Sequence, residues 1–199
     1  EEMTSPYYLH IVCNSSHMPF QIEDESIKEL KLSKELDESY LGGYLQLCRY
    51  VDTQIGIWLD KMEAAGLLEN TVIVVIGDHT GIHKYYEYSL EEWYDEYPWV
   101  NADGYYTVPL IVSSDSLHEK IESDVLAGQI DVMPTLAYLL GIPDEEYMDD
   151  VMGRNLLKTN RSYAIFRDGT IYSEGLTEEE LEIVKSSYGI SEMLFESGE

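Results

Sequence analysis

The chain has 199 residues, and 12 Lys and Arg against 39 Asp and Glu leave it with a net charge of −27. Its 44% hydrophobic content is too apolar for disorder, and the length suits one domain or two small ones with a real core. The charge excludes a nucleic-acid backbone as partner and excludes docking on anionic lipid through surface charge alone.

No basic stretch followed by an apolar one opens the chain, so no signal peptide is expected, and a start on Glu1 suggests a piece of something longer. Tyr8–Cys13 is rich in strand formers and predicts a strand, broken at Asn14–Phe20 by Asn, Ser and Pro. Asp24–Glu38 is polar and charged and predicts a solvated helix or an ordered loop. Leu41, Tyr44, Leu45, Cys48, Val51, Ile55, Leu59 and Met62 then recur at helical steps, one apolar stripe over about six turns, with Gly66 placed to cap it. Cys13 and Cys48 lie on apolar stretches and are expected to be free buried thiols, with no Cys/His spacing for structural zinc.

Thr71–Ile76 is β-branched without alternation, as expected of a strand buried on both faces. Its longest aliphatic run, Val72–Ile76, is far short of the ~20 residues of a membrane span. Thr107–Val112 predicts a second strand, with Pro109 placing it at an edge or a strand end. A helix follows from Asp131 through Met133–Leu140, closed by Gly141. Asp168–Gly169 between Ser162–Arg167 and Thr170–Tyr172 signals a hairpin, and Thr177 with Glu180 caps a last helix to about Ser187. The order predicts an α/β fold in a single domain over 1–199, with a partly parallel sheet flanked by helices and a C-terminal hairpin and helix. Within it, 85–106 is an excursion holding seven Tyr and two Trp among acids, either packed by its own rings or serving as a lid or wall beside a ligand site.

Chemistry concentrates at Gly77-Asp78-His79-Thr80-Gly81, directly after the buried strand, where open α/β sheets bind ligands. A carboxylate and an imidazole there can turn toward one divalent ion, and the flanking glycines let the backbone approach closely. The bland alternative is a turn in which Asp78 bonds nearby amides. His17, in the loop after the first strand, is either a surface residue or a donor to a phosphate or other oxyanion. His83, four residues beyond His79, is a weaker candidate on spacing alone.

Ser16-His17-x-Pro19-Phe20, Tyr50-Val51-Asp52-Thr53-Gln54-Ile55-Gly56, Leu67-x-Glu69-Asn70-Thr71-Val72-Ile73 and Gly77-Asp78-His79, taken in order, resemble the sulfatase-like domain of lipoteichoic acid synthases, phosphoglycerol transferases of the alkaline phosphatase superfamily. Val108–Ile111, Gly128–Thr135, Leu139–Ile142 and Ala164–Gly169 extend the resemblance to about Thr170. It implies the C-terminal portion of an alkaline-phosphatase/sulfatase-like fold, with Asp78 and His79 as metal ligands and His17 in contact with phosphoglycerol. The implied ion is manganese, with zinc, magnesium or calcium as alternatives. The implied partners are an anionic phosphoglycerol lipid headgroup and a growing glycerophosphate polymer, at the extracellular face of a bacterial membrane that anchors the parent.

The family's threonine nucleophile and glutamate ligand belong to the first half of its domain, so no catalytic nucleophile is assigned here. The isolated chain is expected to be inactive and to pair with a copy of itself. A non-catalytic acidic interaction module, and a related sulfatase or phosphatase hydrolase, are the alternative readings.

Overall fold

Two serines start the helices that order the N-terminal half of the protein. Ser33 accepts the Leu36 amide and opens α1, Lys34–Asp37, while Ser39 accepts the Gly42 amide and opens α2, Tyr40–Ala64. The computed structural model describes residues 6–82, 88–101 and 107–197, which divide into two compact units, Glu1–Glu119 and Lys120–Glu199.

In the first unit the predicted helix is present, but its buried residues, Leu41, Gly42, Gly43, Gln46 and Leu47, all lie in its first turns. Gly42 lies against the Leu36 carbonyl and Gly43 against the Phe20 carbonyl, so a Cβ at either would collide with backbone. Gln46, 1% exposed, accepts the amides of Glu29 and Leu30 and donates to the Leu30 carbonyl and to Asp37. One side chain thereby ties the 24–38 segment, a loop ending in the short helix α1, onto α2. Lys28, with Gln46, holds the Asp37 carboxyl below its ordinary range by hydrogen bonding.

The core of this unit joins Leu36 and Leu41 to Leu90 and Trp93, with Tyr44, Leu45 and Ile82 packed against it. The described part of the aromatic excursion is therefore anchored on the helices as well as on its own rings. Residues 85–87 and 102–106 of that excursion lie outside the described residues, as does His83.

β1, Ile73–Ile76, pairs antiparallel with β2, Leu110–Ser113, in the register Ile73↔Ser113 to Ile76↔Leu110. The α/β class stands, while the pairings among the described residues are antiparallel rather than parallel. Burial also differs from expectation. β1 is half-buried rather than covered on both faces, with Ile76 42% exposed, and Ile111 of its partner β2 is 57% exposed. Tyr8–Cys13 makes no strand among the described residues, and Tyr8 is 88% exposed. β-branched and aromatic content fits a residue to a sheet, yet a strand exists only where an edge is there to pair with. Cys13 is accordingly exposed and Cys48 half-buried, both as free thiols.

The second unit is organised by a charge. Asp131, 1% exposed, accepts from the amides of Gly128 and Arg154 and from the Arg154 guanidinium at 2.8 Å. That guanidinium also donates to the carbonyls of Arg161 and Tyr163 and lies 3.7 Å from the Tyr163 ring centroid. Asp131 leads into α3, Val132–Leu139, which Gly141 closes with φ +73°. β3, Ser162–Ile165, and β4, Ile171–Glu174, form the expected hairpin, with Gly169 at φ +83° and the Thr170 amide bonded to Asp168. Thr177 and Glu180 bond each other's amides at the start of α4, Glu178–Ser197. α4 continues through Gly189 rather than ending near Ser187, because a helix-interior glycine costs only about 1 kcal/mol and is tolerated.

The glycines of α2 give a paired test. Gly56 has open space around it, so Gly56→Ala should raise the thermal midpoint through helix propensity, by about 1 kcal/mol. Gly43→Ala gains the same propensity but drives a methyl into the Phe20 carbonyl, and should lower the midpoint. Equal stabilisation by the two would refute the close approach.

Candidate functional site

The β1–β2 ladder runs one step past the strands, where the Gly77 amide donates to the Pro109 carbonyl at 3.0 Å. Pro109 has no amide hydrogen and serves here only as acceptor. A Cβ on Gly77 would meet the Val108 side chain at 2.8 Å, so glycine lets the chain leave the ladder tightly. Asp78 and His79 are thus delivered at the carboxyl end of β1.

Both side chains face solvent, His79 at 61% and Asp78 at 85% exposure. Asp78 accepts the His79 amide through Oδ1 at 2.9 Å. His79 Nδ1 lies 2.8 Å from the Thr80 carbonyl, and a carbonyl only accepts, so Nδ1 carries a proton and in the neutral ring the lone pair falls to Nε2. That Nε2 is 3.6 Å from Asp78 Oδ2. Two ligand atoms each about 2.1 Å from one tetrahedral ion are roughly 3.4 Å apart, so the pair suits a shared divalent ion. Among the described residues no three His, Cys, Asp or Glu gather into a metal cluster.

His17 is held in a similar way. Its amide donates to the Asn14 carbonyl, and its Nδ1 lies 2.9 Å from the Met18 carbonyl, which leaves Nε2 outward. The loop is anchored three residues on by Phe20, buried with φ 57°. A bulky residue in that left-handed region costs on the order of 1–3 kcal/mol and persists only where packing dictates it. Tyr40 and Tyr44 supply that packing, edge-on to the Phe20 ring at 5.0 and 5.2 Å between centroids.

The two loops share a neighbour. Gly81, two residues after His79, lies against the Tyr44 phenol, where a Cβ would overlap the ring and hydroxyl. Burial, with Cys48 beside it, pushes the Tyr44 hydroxyl up to about 12, so it stays neutral at any working pH. Ile82 continues from Gly81 into the cluster of Leu90 and Trp93. Sequence motifs pointed to Asp78, His79 and His17 and took in Gly81 as a flanking glycine, but gave Tyr44 only a place on the apolar stripe of α2. The signal available was a glycine two residues beyond the histidine, where a neighbouring side chain forbids a Cβ.

The sequence model of the family described as Sulfatase matches residues 1–142. The lipoteichoic acid synthases of Staphylococcus aureus strains USA300 and NCTC 8325 are each 27% identical over 176 residues, covering 84% of this chain and 26% of theirs. The chain therefore spans about a quarter of the length of these curated relatives. The crystal structure of the lipoteichoic acid synthase LtaP from Listeria monocytogenes matches with a TM-score of 0.65 and 28% identity, over 80% of this chain and 40% of that one.

If Asp78 and His79 share an ion, Mn²⁺ added to the chain should broaden the His79 ring signals in proton NMR before those of His10 or His118. Asp78→Asn should abolish that order. Even broadening across all histidines would show only diffuse attraction to the acidic surface.

Proposed function

Because this chain belongs to the sulfatase family, we propose that it is part of a metal-dependent phosphoglycerol transferase of the lipoteichoic acid synthase type. The observation that carries this is the Asp78–His79 pair at the end of β1, with 3.6 Å between Oδ2 and Nε2, in a chain similar to two such synthases. The substrate is a phosphoglycerol lipid headgroup, and the product is a glycerophosphate polymer. The reaction takes place at the outer face of a bacterial membrane. Among the described residues no helix is long and apolar enough to cross one.

Asp78 Oδ2 and His79 Nε2 would hold the ion, manganese by preference, and among the described residues no third His, Cys, Asp or Glu gathers with them. When bound, the ion offsets negative charge on the phosphoryl oxygens. Thr80 fixes the His79 ring through its carbonyl, so the imidazole meets the ion already in the right tautomer. His17 presents Nε2 to a phosphate or glycerol oxygen and steadies it as the headgroup changes hands. No hydroxyl of the chain is assigned as nucleophile, and Thr80 serves the turn. Similarity to synthases favours transfer over hydrolysis, though the family description would suit either.

In the complete enzyme, supplied with vesicles bearing a labelled phosphoglycerol headgroup, His79→Ala should remove label transfer at unchanged fold. The 199-residue chain alone should show none. Near-normal transfer by His79→Ala, or transfer by the chain alone, would overturn this reading. The isolated chain is also proposed to self-associate through the half-exposed β1–β2 pair, since open strand edges recruit other strands. Light scattering that finds a clean 22.9 kDa species at micromolar concentration would refute the association.

A further inference from the structure

The histidines of the candidate site are exposed, and neither loop that carries them is held by its own hydrogen bonds alone. Each imidazole is fixed by a neighbouring carbonyl, and each of those carbonyls sits close to a residue packed on Tyr44. On one side the Tyr44 phenol bounds Gly81, which follows Thr80, whose carbonyl meets His79 Nδ1 at 2.8 Å. On the other side the same ring packs edge-on against Phe20, two residues from Met18, whose carbonyl meets His17 Nδ1 at 2.9 Å.

We propose that Tyr44 is a positioning residue for both halves of the site: one ring on α2 sets the loop of His17 and the loop of Asp78 and His79 relative to each other. This rests on the phosphoglycerol transferase reading for its consequence, but the coupling itself concerns only this chain.

Three features support a shared fixed point over two separate packings. Three residues of chain reach at most about 11 Å and two at most about 7 Å, so both imidazoles are tethered close to one ring. Tyr44 cannot swing freely, because it lies half-buried against the core cluster of Leu36, Leu41, Leu90 and Trp93. Both contacts are also intolerant. Gly81 has no room for a methyl, and Phe20 holds φ 57° only while its ring is packed. A phosphate group needing an ion on one side and a hydrogen-bond donor on the other depends on their spacing more than on either alone, since small misplacements cost much of the rate.

Proton NMR of the histidine rings in the full chain, with no metal or lipid added, tests this. Gly81→Ala lies in one loop and should move the His17 ring signals, which belong to the other, by forcing the phenol aside. Tyr44→Leu should move the signals of both His17 and His79 while His10 and His118 stay in place. Tyr44→Phe, which keeps the ring on Phe20, should leave His17 close to its original position. Val184→Ala, a buried change on α4 in the second unit, should move neither histidine. Failure of Gly81→Ala to shift His17 overturns the proposal, as does a matching response to Val184→Ala. If Tyr44→Leu loses its helical circular dichroism, the Gly81→Ala result alone decides. A shift of His17 alongside failed label transfer by the complete enzyme would uphold the coupling and reject the transferase reading. The reverse pair of results would do the opposite.

Discussion

Backbone carbonyls come within touching distance of α2 where Gly42 and Gly43 replace side chains with hydrogen, and the first unit is arranged around that approach. Leu36 closes on one glycine and Phe20 on the other. The segment between them is then drawn onto the helix and pinned by Gln46, which satisfies amides and a carbonyl in a place water does not reach. Had α2 carried two alanines here, the gain in helix propensity would have cost both contacts. The histidine loop and the core of Leu36, Leu41, Leu90 and Trp93 therefore depend on the same two turns of helix.

Features encoded by neighbours in sequence were legible in it. The Asp168–Gly169 turn, the Thr177–Glu180 cap and the apolar stripe of α2 are each decided within a few residues, and each is present. Features needing a distant partner were not. Tyr8–Cys13 has the composition of a strand without an edge to join, and β1 has the composition of a buried strand while remaining half-covered. The same division holds at the site. Asp78 and His79 stand together because they are adjacent and follow a strand. The meeting of Phe20, Tyr44 and Gly81 joins three separate stretches, and none of the three motifs shows that it lies against another.

Several of the few cations of the chain are paired with its own carboxylates. Lys28 is shared by Glu25 and Asp37, Arg49 by Glu29 and Asp52, and Arg154 is sunk against Asp131. The surplus of acid is left outward. Under the proposed function, an anionic headgroup approaching the end of β1 would meet a repulsive field, which added salt screens over roughly 10 Å at 0.1 M. That reading calls for positive charge at the site itself, which a divalent ion on Asp78 and His79 would supply.

The second unit buries Asp131, Thr135 and Asn155 beside Ala137, Tyr147 and Val184, so directional bonds there do work that bulk apolar packing does elsewhere. An apolar core forgives a swap of one hydrocarbon for another of similar volume. A carboxylate that gathers the Gly128 and Arg154 amides, and a guanidinium that gathers two further carbonyls, does not. Losing either member strands the other in the interior without solvent. Sequence drift in this unit should therefore proceed by paired replacement, with Asp131 and Arg154 changing together or not at all, while the residues around the hairpin vary singly.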